Sequence, residues 1–249
     1  MAETVLSIER LTKRFGGLTA TNDLSLAIEK GEVHAVIGPN GAGKTTLIAQ
    51  LSGLLASDSG RIVFNGQDVT ALPAHKRSIL GLARSFQVTN IFQNFTAEDN
   101  VALAVQAHSG HSFRFLAAAR REAALREPAK KALARVGLEH RANVVAADLA
   151  HGEQRQLEIA MAIATNPTVL LLDEPMAGMG PEESARMIEV LRGFKGSHTL
   201  MLIEHDMDAV FALADRITVL VYGQAIATGR PEEIRKNAEV KRAYLGDEA

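Results

Sequence analysis

The chain has 249 residues, 47% of them hydrophobic, and a formal net charge of −2, so it can build one large domain or two small lobes around a real core. The near-neutral charge argues against a dedicated nucleic-acid binder or a basic membrane-surface protein. It has no cysteine, which excludes disulfides and thiolate metal sites. The first residues lack the basic-then-apolar pattern of a signal peptide, and no run approaches the roughly 18 apolar residues that span a bilayer, so any membrane role is expected to go through partners.

Leu24, Leu26 and Ile28 alternate with polar or small residues up to Gly31, which predicts a half-buried strand. Val33 to Ile37 is a short apolar run containing His34, and it predicts a buried strand feeding a loop at Gly38. Leu47, Ile48, Leu51, Leu54 and Leu55 recur at helical spacing, predicting a helix from Thr45. Arg61 to Phe64 followed by Asn65-Gly66 predicts a strand entering a hairpin.

From about Gln87 the texture becomes helical. Thr96 and Asp99 form a capping pattern ahead of Val101 and Val105. Phe113 to Val136 is rich in Ala, Leu, Arg and Glu, and Pro128 is expected to split it into two helices. Another helix is expected from about Glu153 to Ala164. Strands return with Thr168 to Leu172, and Gly180-Pro181 opens a helix carrying Met187, Val190 and Leu191. Thr199 to Ile203 predicts a buried strand, and Ile217 to Val221 with Ala225 to Ala227 predicts a hairpin around Gly223. The strand-helix alternation implies an α/β fold with a mainly parallel sheet.

Gly38-Pro39-Asn40-Gly41-Ala42-Gly43-Lys44-Thr45 matches G-x-x-x-x-G-K-[ST], and Thr46 follows it into the helix. Glycines let backbone N–H groups turn inward around phosphate oxygens without side-chain clash. Lys44 supplies a point charge for the outer phosphates, the Thr45 hydroxyl is a Mg²⁺ ligand, and the helix N-terminus attracts the same anion. The motif sits between a predicted strand and a predicted helix, the context it requires, and it points to ATP with Mg²⁺.

Asp173-Glu174 closes a buried strand. Adjacent carboxylates there are costly without work or partners, and ligands of open α/β sheets bind at the carboxyl ends of strands. Asp173 is the natural Mg²⁺ partner, and Glu174 is placed to polarise an attacking water.

Taken together, these motifs resemble the ABC-transporter ATPase family over essentially the whole chain. The resemblance implies a RecA-like P-loop NTPase lobe with a β-rich flank (1–86 and 167–249), interrupted by a mostly helical lobe (87–166). It implies that Phe15, before Gly16-Gly17, stacks on adenine, and that Gln87 in Ser85-Phe86-Gln87 joins the lobes and reaches Mg²⁺ and the attacking water. His205 resembles the switch histidine that touches the γ-phosphate. Leu149-Ala150-His151-Gly152-Glu153 resembles the signature L-S-G-G-Q, which in this family covers the ATP held by a second ATPase subunit. Two departures stand out: Ala150 replaces the signature serine, and Gly180 stands where the family usually has Asp.

Arg14-Phe15-Gly16-Gly17-Leu18, Ile203-Glu204-His205-Asp206-Met207, and the segment from Pro231-Glu232-Glu233-Ile234 to Ala243-Tyr244-Leu245-Gly246 resemble the ATPases of branched-chain amino acid importers. Relatives importing urea, amides or small organic acids share much of this pattern. By itself the last segment reads as one short amphipathic helix with Pro in its first turn. The resemblance implies a homo- or heterodimer of ATPases at the cytoplasmic face of the inner membrane. It also implies transmembrane permease subunits, an indirect link to a periplasmic substrate-binding protein, and no nucleic-acid partner. Ile91, Phe92 and Phe95, within Val88 to Phe95, are expected to meet a permease helix. The alternative is a switch subunit that binds ATP but hydrolyses it weakly, motivated by Ala150 and Gly180.

Overall fold

The structure, a computed structural model, describes residues 3–85, 91–109 and 122–245. Gln87, Val88 and Gly246 lie outside the described residues, as does Phe113 to Arg121 of the expected helical stretch.

The chain opens with two antiparallel strands, β1 (Thr4–Phe15) and β2 (Leu18–Glu29), paired through Leu6 with Ile28 and Ile8 with Leu26. β3 (Val33–Ile37) is buried throughout and leads into α1 (Lys44–Leu51). β4 (Ser59–Phe64) and β5 (Gln67–Asp68) meet at Asn65-Gly66, whose φ angles of +48° and +76° suit a two-residue type I′ hairpin. Then follow α2 (Ala74–Ile79), β6 (Leu82–Arg84), α3 (Ala97–His108), α4 (Ala123–Arg135) and α5 (His151–Ile163). The remainder alternates: β7 (Val169–Asp173), α6 (Pro181–Arg192), β8 (Thr199–Ile203), α7 (Met207–Leu213), β9 (Arg216–Val221), β10 (Gln224–Gly229), α8 (Pro231–Lys236) and α9 (Ala238–Leu245).

Two sheets result. β2-β1-β4-β5 form a four-stranded antiparallel flank, and β10-β9-β3-β8-β7-β6 form a six-stranded sheet that is parallel except for its β10 edge. The central strands are covered on both faces, which is why they read as unbroken apolar runs. On β7, Leu170 and Leu172 pack with residues of α3 to α6, while Val169 and Leu171 pack with α1 and the flank. Leu200 and Leu202 of β8 go one way and Met201 and Ile203 the other. His34 is tolerated inside β3 because Glu32 Oε1 lies 3.0 Å from its Nδ1 and Thr218 Oγ1 2.8 Å from its Nε2.

Three expectations are corrected. α1 stops at Leu51, so Leu54 and Leu55 lie beyond it. Gly53, at φ +77°, turns the chain in a Schellman motif: Gly53 N donates to Gln50 O and Leu54 N to Ala49 O. The buried Arg77 guanidinium fixes the same end by donating to Gln50 O at 2.7 Å and Leu51 O at 2.8 Å. Pro128 does not split its helix; α4 runs through it. The bond it forfeits falls near the helix start, and burial of Leu125, Ala129, Ala132 and Leu133 against the α3 side outweighs that loss. Finally, the C-terminal segment is two helices. Asn237 is extended and its Oδ1 accepts from Glu239 N and Val240 N, so it starts α9.

Other boundaries follow local chemistry. Thr96 Oγ1 accepts from Asp99 N at 3.1 Å, capping α3 as its pattern predicts. Ala150 caps the start of α5, where Glu153 Oε2 accepts from Ala150 N at 3.0 Å. That is half of a capping box; alanine has no oxygen to return the second bond. Ala150→Ser restores it, worth about 1 kcal/mol. In a thermal melt of the nucleotide-free protein the midpoint should rise by about 2–4 °C.

Candidate nucleotide site

The parallel strands β3, β8, β7 and β6 are neighbours, and their carboxyl ends stop side by side. The phosphate loop follows β3, His205 follows β8, Glu174 follows β7, and Ser85 follows β6. Backbone bonds hold these ends level: Glu174 N donates to Ile203 O at 2.9 Å, and Ser85 N to Leu171 O at 2.9 Å. The sheet thus gathers in space what the sequence spreads over some 170 positions, from Gly38 to His205.

The loop from Gly38 to Gly43 turns tightly against its own fold. A Cβ on Gly38 would come within 2.2 Å of Leu220 O, and one on Gly43, at φ +99°, within 2.0 Å of Ala20 O. Only glycine fits either place. Asn40 and Gly41 form the exposed tip, with Pro39 half-buried and Ala42 buried behind it. Lys44 is buried and its Nζ donates to Gly38 O at 2.6 Å and Pro39 O at 3.1 Å. Burial lowers its pKa, while the charges of Glu174 and then Asp173 oppose that shift, which puts both carboxylates within electrostatic reach of the ammonium. Thr45 is exposed and Thr46 half-buried at the start of α1. α9 flanks the other side of the loop: Glu239 and Arg242 line a cleft with Asn40 and Gly41.

Asp173 is 1% exposed. Its Oδ2 accepts from Arg84 Nη2 at 3.0 Å, and its Oδ1 has no partner among the described residues. Burial raises its pKa, and the Arg84 charge and hydrogen bond work against that. Glu174 stands at φ +48°, left-handed for a residue with a Cβ. Such strain costs of the order of 1–3 kcal/mol and persists where surroundings impose it, here through the bond to Ile203 O.

His205 is exposed, and its Nδ1 lies 3.8 Å from Glu204 Oε2. Phe15 closes β1 with its ring half-exposed and Lys13 Nζ 5.6 Å from the ring centroid. Both face solvent.

The signature-like residues occupy the start of α5. Leu149 and Gly152 are buried, Ala150 and His151 exposed, and Glu153 is paired with Arg141 at 2.8 Å. The Arg141 hydrogen bond is the main cause holding the Glu153 carboxyl below its ordinary pKa. No described contact links these residues to the chain's own phosphate loop. Instead, His151 Nε2 lies 3.4 Å from Ala177 O, in the segment after Glu174.

Phe92 and Phe95 are 55% and 42% exposed and stacked at 5.6 Å between centroids, while Ile91 packs inward. Asn100 presents them. It is fully buried; its Oδ1 accepts from Phe92 N at 2.7 Å and its Nδ2 donates to Phe92 O at 3.1 Å and Thr96 O at 3.0 Å. No role for Asn100, Arg84 or Glu204 follows from the sequence, although Glu204 stands in the Ile203-Glu204-His205-Asp206-Met207 run. Glu204 and Arg84 carried one signal that was there to use, a charged side chain at the end of an apolar strand; Asn100 carried none.

The profile described as "ABC transporter" matches residues 21–177, and that described as "Branched-chain amino acid ATP-binding cassette transporter" matches residues 226–249. The chain is 39% identical over 219 residues to the high-affinity branched-chain amino acid transport ATP-binding protein BraF of Pseudomonas aeruginosa, covering 85% of this chain and 86% of that one. It is 39% identical over 217 residues to LivG of Escherichia coli, which carries the same description, covering 84% and 85%. Its fold superposes with a TM-score of 0.84 on the ADP conformation of MJ1267, an ATP-binding cassette of an ABC transporter, at 29% identity over 98% of this chain and 99% of that one. With its phosphate loop, signature-like segment and acidic strand end in this order on a RecA-like α/β fold, the chain belongs to the ABC transporter family, as an ATP-binding ATPase that drives transport.

Proposed function

We propose that this chain hydrolyses Mg²⁺-bound ATP in a site shared with a second ATPase subunit and thereby powers import of branched-chain or closely related amino acids. The observation that carries the catalytic part is the buried Asp173 Oδ1, without a partner among the described residues, next to Glu174 and within electrostatic reach of Lys44. A carboxylate oxygen so buried needs a cation or a donor. Mg²⁺ favours one or two protein oxygens plus phosphate oxygens, and Asp173 with the Thr45 hydroxyl offers that donor set; Gln87 would join it. The bound ion would neutralise charge on the β- and γ-phosphates.

The roles of the protein groups follow. The loop N–H groups from Gly38 to Gly43 cradle the phosphates, and Lys44 exchanges its two carbonyl partners for phosphate oxygens. Phe15 stacks on adenine. Glu174 polarises the attacking water, and His205 touches the γ-phosphate. In the paired state, the α5 N-terminus of one subunit, from Leu149 to Glu153, faces the γ-phosphate held by the other. Ala150 withholds one hydroxyl from that phosphate. A bond of that kind is worth roughly 1.5–3 kcal/mol, so turnover is about ten- to a hundredfold below a serine variant if the loss falls on the transition state.

The cargo assignment is supported by the matching C-terminal profile and by the branched-chain amino acid transport of the relatives. Among the described residues no helix is long and apolar enough to cross a membrane, so we assign membrane attachment to permease subunits, at the cytoplasmic face of the inner membrane. A periplasmic binding protein would deliver the cargo to them. The Phe92–Phe95 stack, held outward by Asn100, is the permease contact.

Replacing Glu174 by Gln should leave ATP binding within about twofold and lower single-turnover hydrolysis by at least a hundredfold; equal rates would mean a binding switch instead. Phe92→Asp should abolish co-purification with the permease while ATP affinity is retained. Unchanged co-purification removes the docking assignment.

A further inference from the structure

Glu204 is a carboxylate with no assigned role, and it is 1% exposed. Both oxygens are engaged by backbone. Oε1 accepts from Met176 N at 3.0 Å, and Oε2 accepts from His205 N at 3.1 Å. Burial pushes its pKa up, and the N–H donors of Met176, His205 and Asp206 oppose this. The side chain therefore clamps two chain segments that follow different strands, β7 and β8. One carries Glu174, two residues before Met176. The other begins with His205.

The segment from Glu174 to Glu183 is itself a compact bridge. Ala177 N donates to Glu174 O at 3.1 Å, Met179 N to Met176 O at 3.2 Å, and Gly180 N to Glu183 Oε2 at 3.2 Å. Its far side touches the start of α5. His151 Nε2 lies 3.4 Å from Ala177 O, and a Cβ on Gly152 would come within 2.9 Å of Glu183 Oε1. A continuous set of contacts thus runs from His151 and Gly152, through Ala177 and Met176, to the Glu204 carboxylate and the His205 backbone. On the shared-site reading above, its two ends serve different nucleotides. The α5 start faces the ATP of the partner, whereas His205 and Glu174 face the chain's own.

We propose that Glu204 is a positioning residue: its carboxylate ties His205 to the segment after Glu174, so that movement of His151 and Gly152 against the partner's ATP resets His205 at this chain's own site. The inference rests on the shared-site reading above. It explains why a carboxylate is kept where burial opposes its charge, since a carboxylate offers two acceptor oxygens facing opposite ways. An amide offers one acceptor and turns a donor toward the other N–H. Gly180, where the family usually has Asp, gives the bridge no side chain there; the Glu204 clamp and the His151 contact carry the connection within the chain.

The test is steady-state ATP hydrolysis by the full chain at a concentration giving maximal turnover per chain, as a function of ATP, with fluorescent-ATP binding measured in parallel. Glu204→Gln should keep nucleotide affinity within twofold, lower kcat about tenfold, and drop the Hill coefficient for ATP from above 1 toward 1. His151→Ala, at an exposed position, should drop the Hill coefficient likewise, and the double variant should show no further loss. This split between kcat, affinity and cooperativity separates positioning from general destabilisation. Should Glu204→Gln not fold, Glu204→Asp, which keeps the charge but shortens the reach to Met176 N, decides in its place. A wild-type Hill coefficient of 1, or variants that keep the wild-type value, overturns the proposal. Glu174→Gln distinguishes the two levels. If it abolishes turnover while Glu204→Gln and His151→Ala change nothing, only the clamp fails. If it turns over at the wild-type rate, the hydrolytic reading fails and takes the clamp with it.

Discussion

The parallel pairing of β3, β8, β7 and β6 is the constraint on which the site depends. Each strand is buried on both faces, so its register is fixed by apolar packing on two sides at once. Val36 pairs with Ile203, and Ile203 pairs with Asp173. Slipping one strand by a residue would turn Leu170 and Leu172 toward the flank and expose a mismatch on both faces. The register that satisfies the core therefore also sets the phosphate loop, Glu174 and His205 at one edge. Stability and catalysis draw on the same hydrogen-bond ladder.

Charge at that edge is balanced internally. Asp173 is held by Arg84 from β6, which in turn donates from Nη1 to Ser52 Oγ at 3.2 Å, beyond the end of α1. Removing one member of such a buried pair costs about 3–5 kcal/mol, so Arg84 is as much a part of the site as the carboxylate. Lys44 rests on carbonyls of its own loop and feels both carboxylates. The strained backbone of Glu174 is imposed by the ladder at Ile203, so the carboxylate is aimed by the fold and not by its own preference.

Much of this was legible in the sequence where one local rule dominates. The strand from Val33 to Ile37 and the strand from Thr199 to Ile203 were found at their observed bounds because continuous apolar runs between breakers have few other meanings. The Asn65-Gly66 turn and the Thr96 cap were legible for the same reason. Where a tertiary partner decides, the pattern misled. The helical spacing of Leu54 and Leu55 ran past an end set by Gly53 and the distant Arg77. Pro128 suggests a break because the burial of Leu125 and Leu133 against α3 is not visible along the chain. In the site, the loop and the acidic pair were legible from spacing, whereas Arg84, Asn100 and Glu204 act through contacts 89, 8 and 28 positions away.

The central proposal is that one chain carries half of each of two ATP sites, its α5 start serving the ATP held by a second subunit. The most direct measurement is ATP turnover per chain against chain concentration, with molecular mass followed in the same samples. The account predicts turnover that rises with concentration and levels off as ATP-bound dimer saturates. Constant turnover per chain, down to concentrations where only monomer is detected, would contradict it.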